Sequence, residues 1–439
     1  MSFPAMKTVK KIVVALILFL CSQQYSIAQG SRIVTDLDNY LWTLTNLRNF
    51  NGNVILAKND SVFFRKTYNI PKGPPELFVT DSSKFIIASV SKIFIRYSIL
   101  KLAEQQRLNL NDTIGKFIPG YPNGNKITVA HLLEHRSGLP RELRDADKYE
   151  NISLEQSVEL SKSESLQFEP GTQVLYSNVG FSLLHYIIEK ASPEGYRKYI
   201  EKTLLIPYKL TNTGEFNFNP DVTNLAPGFQ LEEDTIKFAS KLSVSKNETG
   251  NYYSTAEDLF SFSRQLLSGK HMKKTFAMKM FDKDGLITQA GGRPGYRAYF
   301  HKNLNTGLTF IFVSNYSEIQ VQKVVTDVID IAMGKTVTMP KKLQRSTVAV
   351  PRETLEKYAG TYALKADMNQ KFVVKAAENA LVIYFNGGEK INAYPDSQTT
   401  FFLTSESTDG FEFNADPSGT QFELEVISDG MRMKTKRVE

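Results

Sequence analysis

A single cysteine, Cys21, and a single tryptophan stand in 439 residues. The thiol falls inside an N-terminal stretch that reads as an export signal. The expected mature chain therefore has no disulfide framework, no thiol nucleophile and no cysteine-bound zinc. Long apolar runs are missing as well. The run Ile12 to Leu20 is too short for a membrane span, and Lys7, Lys10 and Lys11 precede it. With the small residues Ser26-Ile27-Ala28 after it, a cleaved signal over residues 1–28 and a periplasmic or extracellular location are expected, with no transmembrane span in the mature chain. Leu20 before Cys21 disfavours lipid attachment. The formal charge of +7 falls to +4 once the leader leaves, and no dense basic block is present, which excludes a nucleic-acid partner. No G-x-S-x-G elbow occurs, which disfavours a Ser-His-Asp hydrolase. Heptads, solenoid repeats and low-complexity tracts are absent too.

About 410 remaining residues exceed one usual core, so two domains are expected. Residues 53–58 and 61–66, joined at Asn59-Asp60, read as a β-hairpin. A helix from about Ser89 to Gln106 follows, and then short helices and loops, including Val129 to His135 and Asn178 to Lys190. Ser254 to Asp258 places a cap and acidic residues before a helix at 259–267. Strand composition returns at 298–300 and 308–313, before a helix near 321–332. A sheet opened early and completed late implies an α+β domain over 29–335. Residues 336–351 read as a linker. Beyond them, short alternating strands at 372–374, 381–385, 401–403, 411–413 and 422–426 imply a small antiparallel barrel or sandwich over 352–439.

The chemistry is carried by three segments. Ser89-Val90-Ser91-Lys92 puts a hydroxyl and an amine one helical turn apart, ahead of the apolar stripe Ile93, Tyr97 and Leu100. A lysine held neutral by burial activates a serine for attack on a carbonyl. The same pattern at Ser98–Lys101 and Ser243–Lys246 lacks that context, and an N-capping role for Ser89 reads the residue equally well. Tyr176-Ser177-Asn178 opens a core helix; the phenol suits relay of the serine proton, and the Asn178 amide suits a substrate carbonyl and orientation of the lysine. The plain alternative is a core tyrosine at a helix start. Gln289-Ala290-Gly291-Gly292-Arg293 precedes a strand, where glycines admit a substrate close to backbone N–H donors, or simply form a turn. A rival signature is His131-Leu132-Leu133-Glu134-His135, the H-x-x-E-H of an inverted zinc peptidase, for which nothing marks a third ligand.

In this order the segments resemble the serine β-lactamase and penicillin-binding-protein superfamily, most closely its class C-like branch of β-lactamases, esterases and D-amino-acid peptidases. Ala88 to Lys92, His131 to Pro140, Tyr176 to Asn178, Tyr253 to Leu259 and the glycine segment carry the likeness over most of 50–335. The segment around Tyr358 to Tyr362 looks like the lipocalin-like barrel often appended to such hydrolases. The resemblance implies Ser89 as acylated nucleophile, Lys92 as base and Tyr176 as relay, with Asn178, Gln289, Gly291, Gly292 and Arg293 facing substrate. The N–H groups of Ser89 and Gly292 would form the oxyanion hole. It implies a small ester, amide or peptide substrate and no cofactor or metal. A non-catalytic sensor of cell-wall peptides or β-lactams is the other reading of the same fold. Gln289 departs from the family, which places Lys or His there to hold a substrate carboxylate. Arg293 or Arg297 is the nearby replacement, and strong β-lactamase activity is not expected.

Overall fold

The structure is a computed structural model. It describes residues 30–438 apart from 145, 150, 217–221, 233–234, 240–249, 366, 406–407, 416–421 and 429–430. The expected signal at 1–28, with Cys21, and the Ser243–Lys246 pattern lie outside the described residues.

The anticipated hairpin is β1 (Gly52–Lys58) and β2 (Ser61–Tyr68). It turns through Asn59 and Asp60, whose φ values of 48° and 64° are the left-handed geometry that Asn and Asp tolerate best after glycine. Three strands from late in the chain complete the sheet: β3 (Leu286–Arg293), β4 (Tyr296–Asn303) and β5 (Leu308–Ser314). The order is β2-β1-β5-β4-β3, all antiparallel, with Ile55 opposite Ile311. Period-two alternation divides β1 between two cores. Val54 and Leu56 pack with Leu37, Tyr40, Leu41 and Leu44 of helix α1 (30–46) and with Val324, Val328 and Ile331 further on. Ile55 and Ala57 face the larger cluster on the other side, around Ile93 to Leu102.

That second cluster is built on α2 (Lys92–Glu104), in which Ile93, Phe94, Ile95, Tyr97, Ile99, Leu100 and Leu102 are all buried. Apolar on nearly every side, α2 is a central core helix rather than a surface one. The expected start at Ser89 is instead a 3₁₀ turn over Ala88–Ser91, and the helix ends at Glu104, before Leu108. Around it lie α3 (Val129–Leu133), α4 (Asn178–Ala191) and α5 (Ala256–Gln265). α6 (Val321–Ala332) returns to the sheet face shared with α1.

Residues 336–349 form no helix or strand, but the later part lies along the C-terminal strands. Val348 N–H donates to Pro395 O, and Arg345 pairs with Asp396 at 3.2 Å. After α7 (Arg352–Tyr358), eight strands from Gly360–Leu364 to Met431–Arg437 form a closed antiparallel barrel, the first pairing with the last at Tyr362 and Arg437. Closure decides between barrel and sandwich. Tyr362, Phe372, Phe411, Phe413 and Leu424 belong to its buried core, and Tyr358 from α7 stacks on Phe413 at 4.3 Å. The strands at Gly360–Leu364, Glu389–Pro395 and Met431–Arg437 were not anticipated.

Candidate active site

Ser89 sits on the 3₁₀ turn because the chain bends sharply just before it. Ala88 has φ +45°, a left-handed conformation that costs a residue with a Cβ about 1–2 kcal/mol. The surroundings hold the bend: Ile87 N–H donates to Tyr252 O, and Val90 N–H closes the turn onto Ile87 O. Ser89 does not cap the helix. Its Oγ instead receives hydrogen bonds from Lys92 Nζ at 3.1 Å and from the Tyr176 hydroxyl at 2.8 Å. Ser98, by contrast, bonds back to Phe94 O within α2, and Lys101 is held by Glu104 and His271 O.

Lys92 opens α2, and its amine is enclosed by aromatic rings. Nζ lies 5.1 Å from the centre of the Tyr176 ring and 5.3 Å from that of Phe181. It donates to Asn178 Oδ1 at 2.7 Å, and Asn178 Nδ2 in turn donates to Glu142 Oε1 at 2.5 Å. Burial lowers the Lys92 pKa to about 7; the Glu142 charge acts against this, and Arg293 and Arg141 reinforce it. A substantial neutral fraction therefore exists near neutral pH.

Tyr176 precedes α4, whose cap is Ser177: the Ser177 Oγ accepts from Gly180 N–H and donates to Pro140 O. Burial pushes the Tyr176 phenol up, while the Ser89 hydrogen bond and the Arg141 charge pull it back. The Arg141 guanidinium lies 5.1 Å from the ring centre.

The glycine segment is β3 itself. A Cβ on Gly291 would stand 2.2 Å from Ile87 O and 3.1 Å from Ser89 N. Only glycine lets this strand run against the serine's turn. The next residue, Gly292, is exposed to the cavity that the site opens into. That cavity, about 820 Å³, is also lined by Gln289, Arg293, Arg297 and Gln230. Gln289 Nε2 donates to the adjacent Ala290 O. Arg293 donates to Asn251 Oδ1 at 3.2 Å, and among the described residues no carboxylate forms an ion pair with it. Arg297 is turned back onto Arg293 O and Tyr296 O.

The structure thus brings Ser89, Lys92, Tyr176, Asn178, Gln289, Gly291, Gly292 and Arg293 to one cavity. Arg141 and Glu142, which sequence reasoning did not single out, join them. They directly follow the Gly138-Leu139-Pro140 stretch, and only the fold reveals that this loop meets α4. The two histidines of the H-x-x-E-H signature have other partners. His131 Nδ1 accepts from Thr128 N–H in a capping box, and His135 Nδ1 accepts from Ser177 N–H. Among the described residues, no three His, Cys, Asp or Glu side chains are grouped to hold a metal ion.

Known proteins share this arrangement of fold. Penicillin-binding protein 4* of Bacillus subtilis (strain 168) is 24% identical over 412 residues, 84% of this chain and 91% of that protein. An octameric penicillin-binding protein homologue from Pyrococcus abyssi superposes with a TM-score of 0.56 at 19% identity, covering 90% of this chain and 97% of the other. D-amino acid amidase from Ochrobactrum anthropi SV3, complexed with L-phenylalanine amide, does so with a TM-score of 0.58 at 20% identity, covering 68% and 99%. The sequence model of the Beta-lactamase family matches residues 53–331, and the chain belongs to that family of serine hydrolases.

Proposed function

We propose that this protein cleaves a small amide or ester through an acyl-enzyme on Ser89, with Lys92 as base and Tyr176 as proton relay. The observation that carries the reading is the convergence of an amine and a phenol on one hydroxyl, at 3.1 and 2.8 Å. In its neutral form Lys92 has a lone pair, and the 3.1 Å contact runs the other way, with the hydroxyl donating. Proton loss to Nζ accompanies formation of the bond from Oγ to the substrate carbonyl carbon. Negative charge then collects on the carbonyl oxygen, for which the N–H groups of Ser89 and Gly292 form the hole. Tyr176 passes its proton to the departing amine or alcohol as the scissile bond breaks and takes back the one held on Nζ, and water then repeats the cycle on the ester to free Ser89. Asn178 holds Nζ toward the serine and offers its amide to the substrate.

On the substrate side, Gln289 carries no charge, and Arg293, with Arg141 and Arg297, lines the cavity as a cation. A substrate with a carboxylate beyond the scissile bond suits this wall, and likeness to a D-amino acid amidase and a penicillin-binding protein favours peptide-like amides. The uncharged Gln289 also favours slow turnover, the feature that a sensor would share. The proposal extends to export through the leader at 1–28, a hydrolase unit at 29–335, a linker at 336–351 and a lipocalin-like barrel at 352–439. A panel of D-amino-acid amides, D-Ala peptides, short-chain esters and nitrocefin, run on wild type and Ser89→Ala, tests the reading. Turnover lost in the variant supports it; turnover unchanged in the variant refutes it. Covalent labelling without turnover selects the sensor.

A further inference from the structure

His135 is left unused by the steps above, yet both its ring and its backbone engage the segment that carries Tyr176. Residues 174–177 belong to no helix or strand, so the backbone that carries the phenol has no ladder to fix it. His135 supplies the missing partners. Its carbonyl oxygen accepts from Leu175 N–H at 2.9 Å, and its Nδ1 accepts from Ser177 N–H at 3.1 Å. Both N–H groups flanking Tyr176 are thus taken by one residue. The imidazole also lies against the phenol ring, with centroids 4.5 Å apart and planes inclined at 33°, and against Phe181 at 5.1 Å. The position is reached because His135 follows the end of α3 with φ +55°, turning its ring toward α4.

We propose that His135 is the positioning residue of Tyr176, clipping the backbone on either side of it so that the phenol oxygen rests on Ser89. This rests on the reading of Tyr176 as the proton relay. An N–H donor at Nδ1 requires a lone pair there, so the ring proton is on Nε2. Burial, together with the charges of Lys92, Arg96 and Arg141, lowers the His135 pKa to about 4, which keeps that lone pair available at neutral pH. The neighbouring His131 performs the analogous service for α3 itself, accepting from Thr128 N–H. The H-x-x-E-H spacing therefore holds two backbone clasps, of which only the second acts on the site.

The test uses the full chain, p-nitrophenyl butyrate turnover, and two variants whose residues tolerate a positive φ. His135→Gly removes ring and acceptor; His135→Asn restores an acceptor near the position of Nδ1. His135→Gly should lower kcat about 10- to 100-fold with KM within about threefold, because a misplacement near 1 Å costs on that scale. His135→Asn should recover most of the loss. In a Tyr176→Phe background, His135→Gly should change kcat less than about twofold, since its effect passes through the phenol. A full additional loss in that background overturns the proposal, as does an Asn variant no better than Gly. If Gly does not fold, His135→Asn is compared with wild type in the Tyr176 and Tyr176→Phe backgrounds, where any loss of kcat should vanish with the phenol, and a loss that persists without it overturns the proposal. A Tyr176→Phe protein with wild-type kcat would instead refute the relay reading, and this proposal with it.

Discussion

The pH dependence of kcat/KM should expose Lys92 directly. Moving an amine from 10.5 to about 7 favours its neutral form by roughly 5 kcal/mol, at about 1.4 kcal/mol per pK unit. Half of the protein then has a usable base near pH 7, against roughly one part in 3,000 for an ordinary lysine. The base is active when deprotonated, so kcat/KM should rise about tenfold per pH unit up to about 7 and then level. The neighbours fix how variants move this limb. Glu142 is linked to Nζ through the Asn178 amide by hydrogen bonds of 2.7 and 2.5 Å, a charge separation on the order of 7 Å. At an effective dielectric of about 40, suited to an exposed carboxylate, that is roughly 1 kcal/mol of support for the ammonium form. Glu142→Gln should therefore move the limb down by somewhat under about one pH unit. Arg293→Met removes a repelling cation and should move it up. Rate profiles between pH 5 and 9 on a neutral p-nitrophenyl ester suffice. A limb above pH 9 in wild type, or shifts of the same sign in the two variants, would refute the argument.

Other outcomes follow from the same geometry. Lys92 has a folded pKa below its unfolded one, so between about 7 and 10.5 the unfolded chain binds more protons and stability rises with pH. Its burial is a cost that is complete below about pH 7, and Lys92→Met should abolish turnover while raising Tm at pH 6–7, read by calorimetry; a lower Tm would contradict this. Arg293→Met should raise KM for carboxylate-bearing amides about 10- to 100-fold, the loss of a charge-assisted hydrogen bond, and leave neutral esters within about threefold. Equal effects on both substrates would remove Arg293 from anion recognition. His131→Ala should lower Tm through the lost cap while leaving kcat within about twofold, and EDTA should leave turnover unchanged; a chelator-sensitive rate would revive the zinc reading.

Much of the site was legible because its chemistry is local. Ser89 and Lys92 lie within one turn of chain, and Tyr176 to Asn178 within another, each beside apolar residues that announce a core helix. The same period ran through Leu37, Tyr40, Leu41 and Leu44, so α1 was readable, though it was not singled out. What the sequence hid is what depends on distant pairing. Glu142 reaches Asn178 across 36 residues, and His135 reaches Ser177 across 42. Neither loop has a period that marks its target. The barrel strands alternate plainly at Phe372 to Val374 and Phe411 to Phe413. Closure, however, requires the first strand to meet the last, and register between such remote segments is written in no local pattern. The helical start expected at about Ser89 is found, but its first turn is 3₁₀ over Ala88–Ser91 and opens on the left-handed Ala88, whose bend is held by partners distant in sequence, Tyr252 among them.

The most direct trial of the account is peptide mass spectrometry of the intact protein after reaction with a fluorophosphonate probe near pH 8. One stoichiometric adduct is expected, on the Ser89 hydroxyl, that disappears in Ser89→Ala and forms far more slowly in Lys92→Met. An adduct on any other residue, or none on a protein that still turns over substrate, would contradict it.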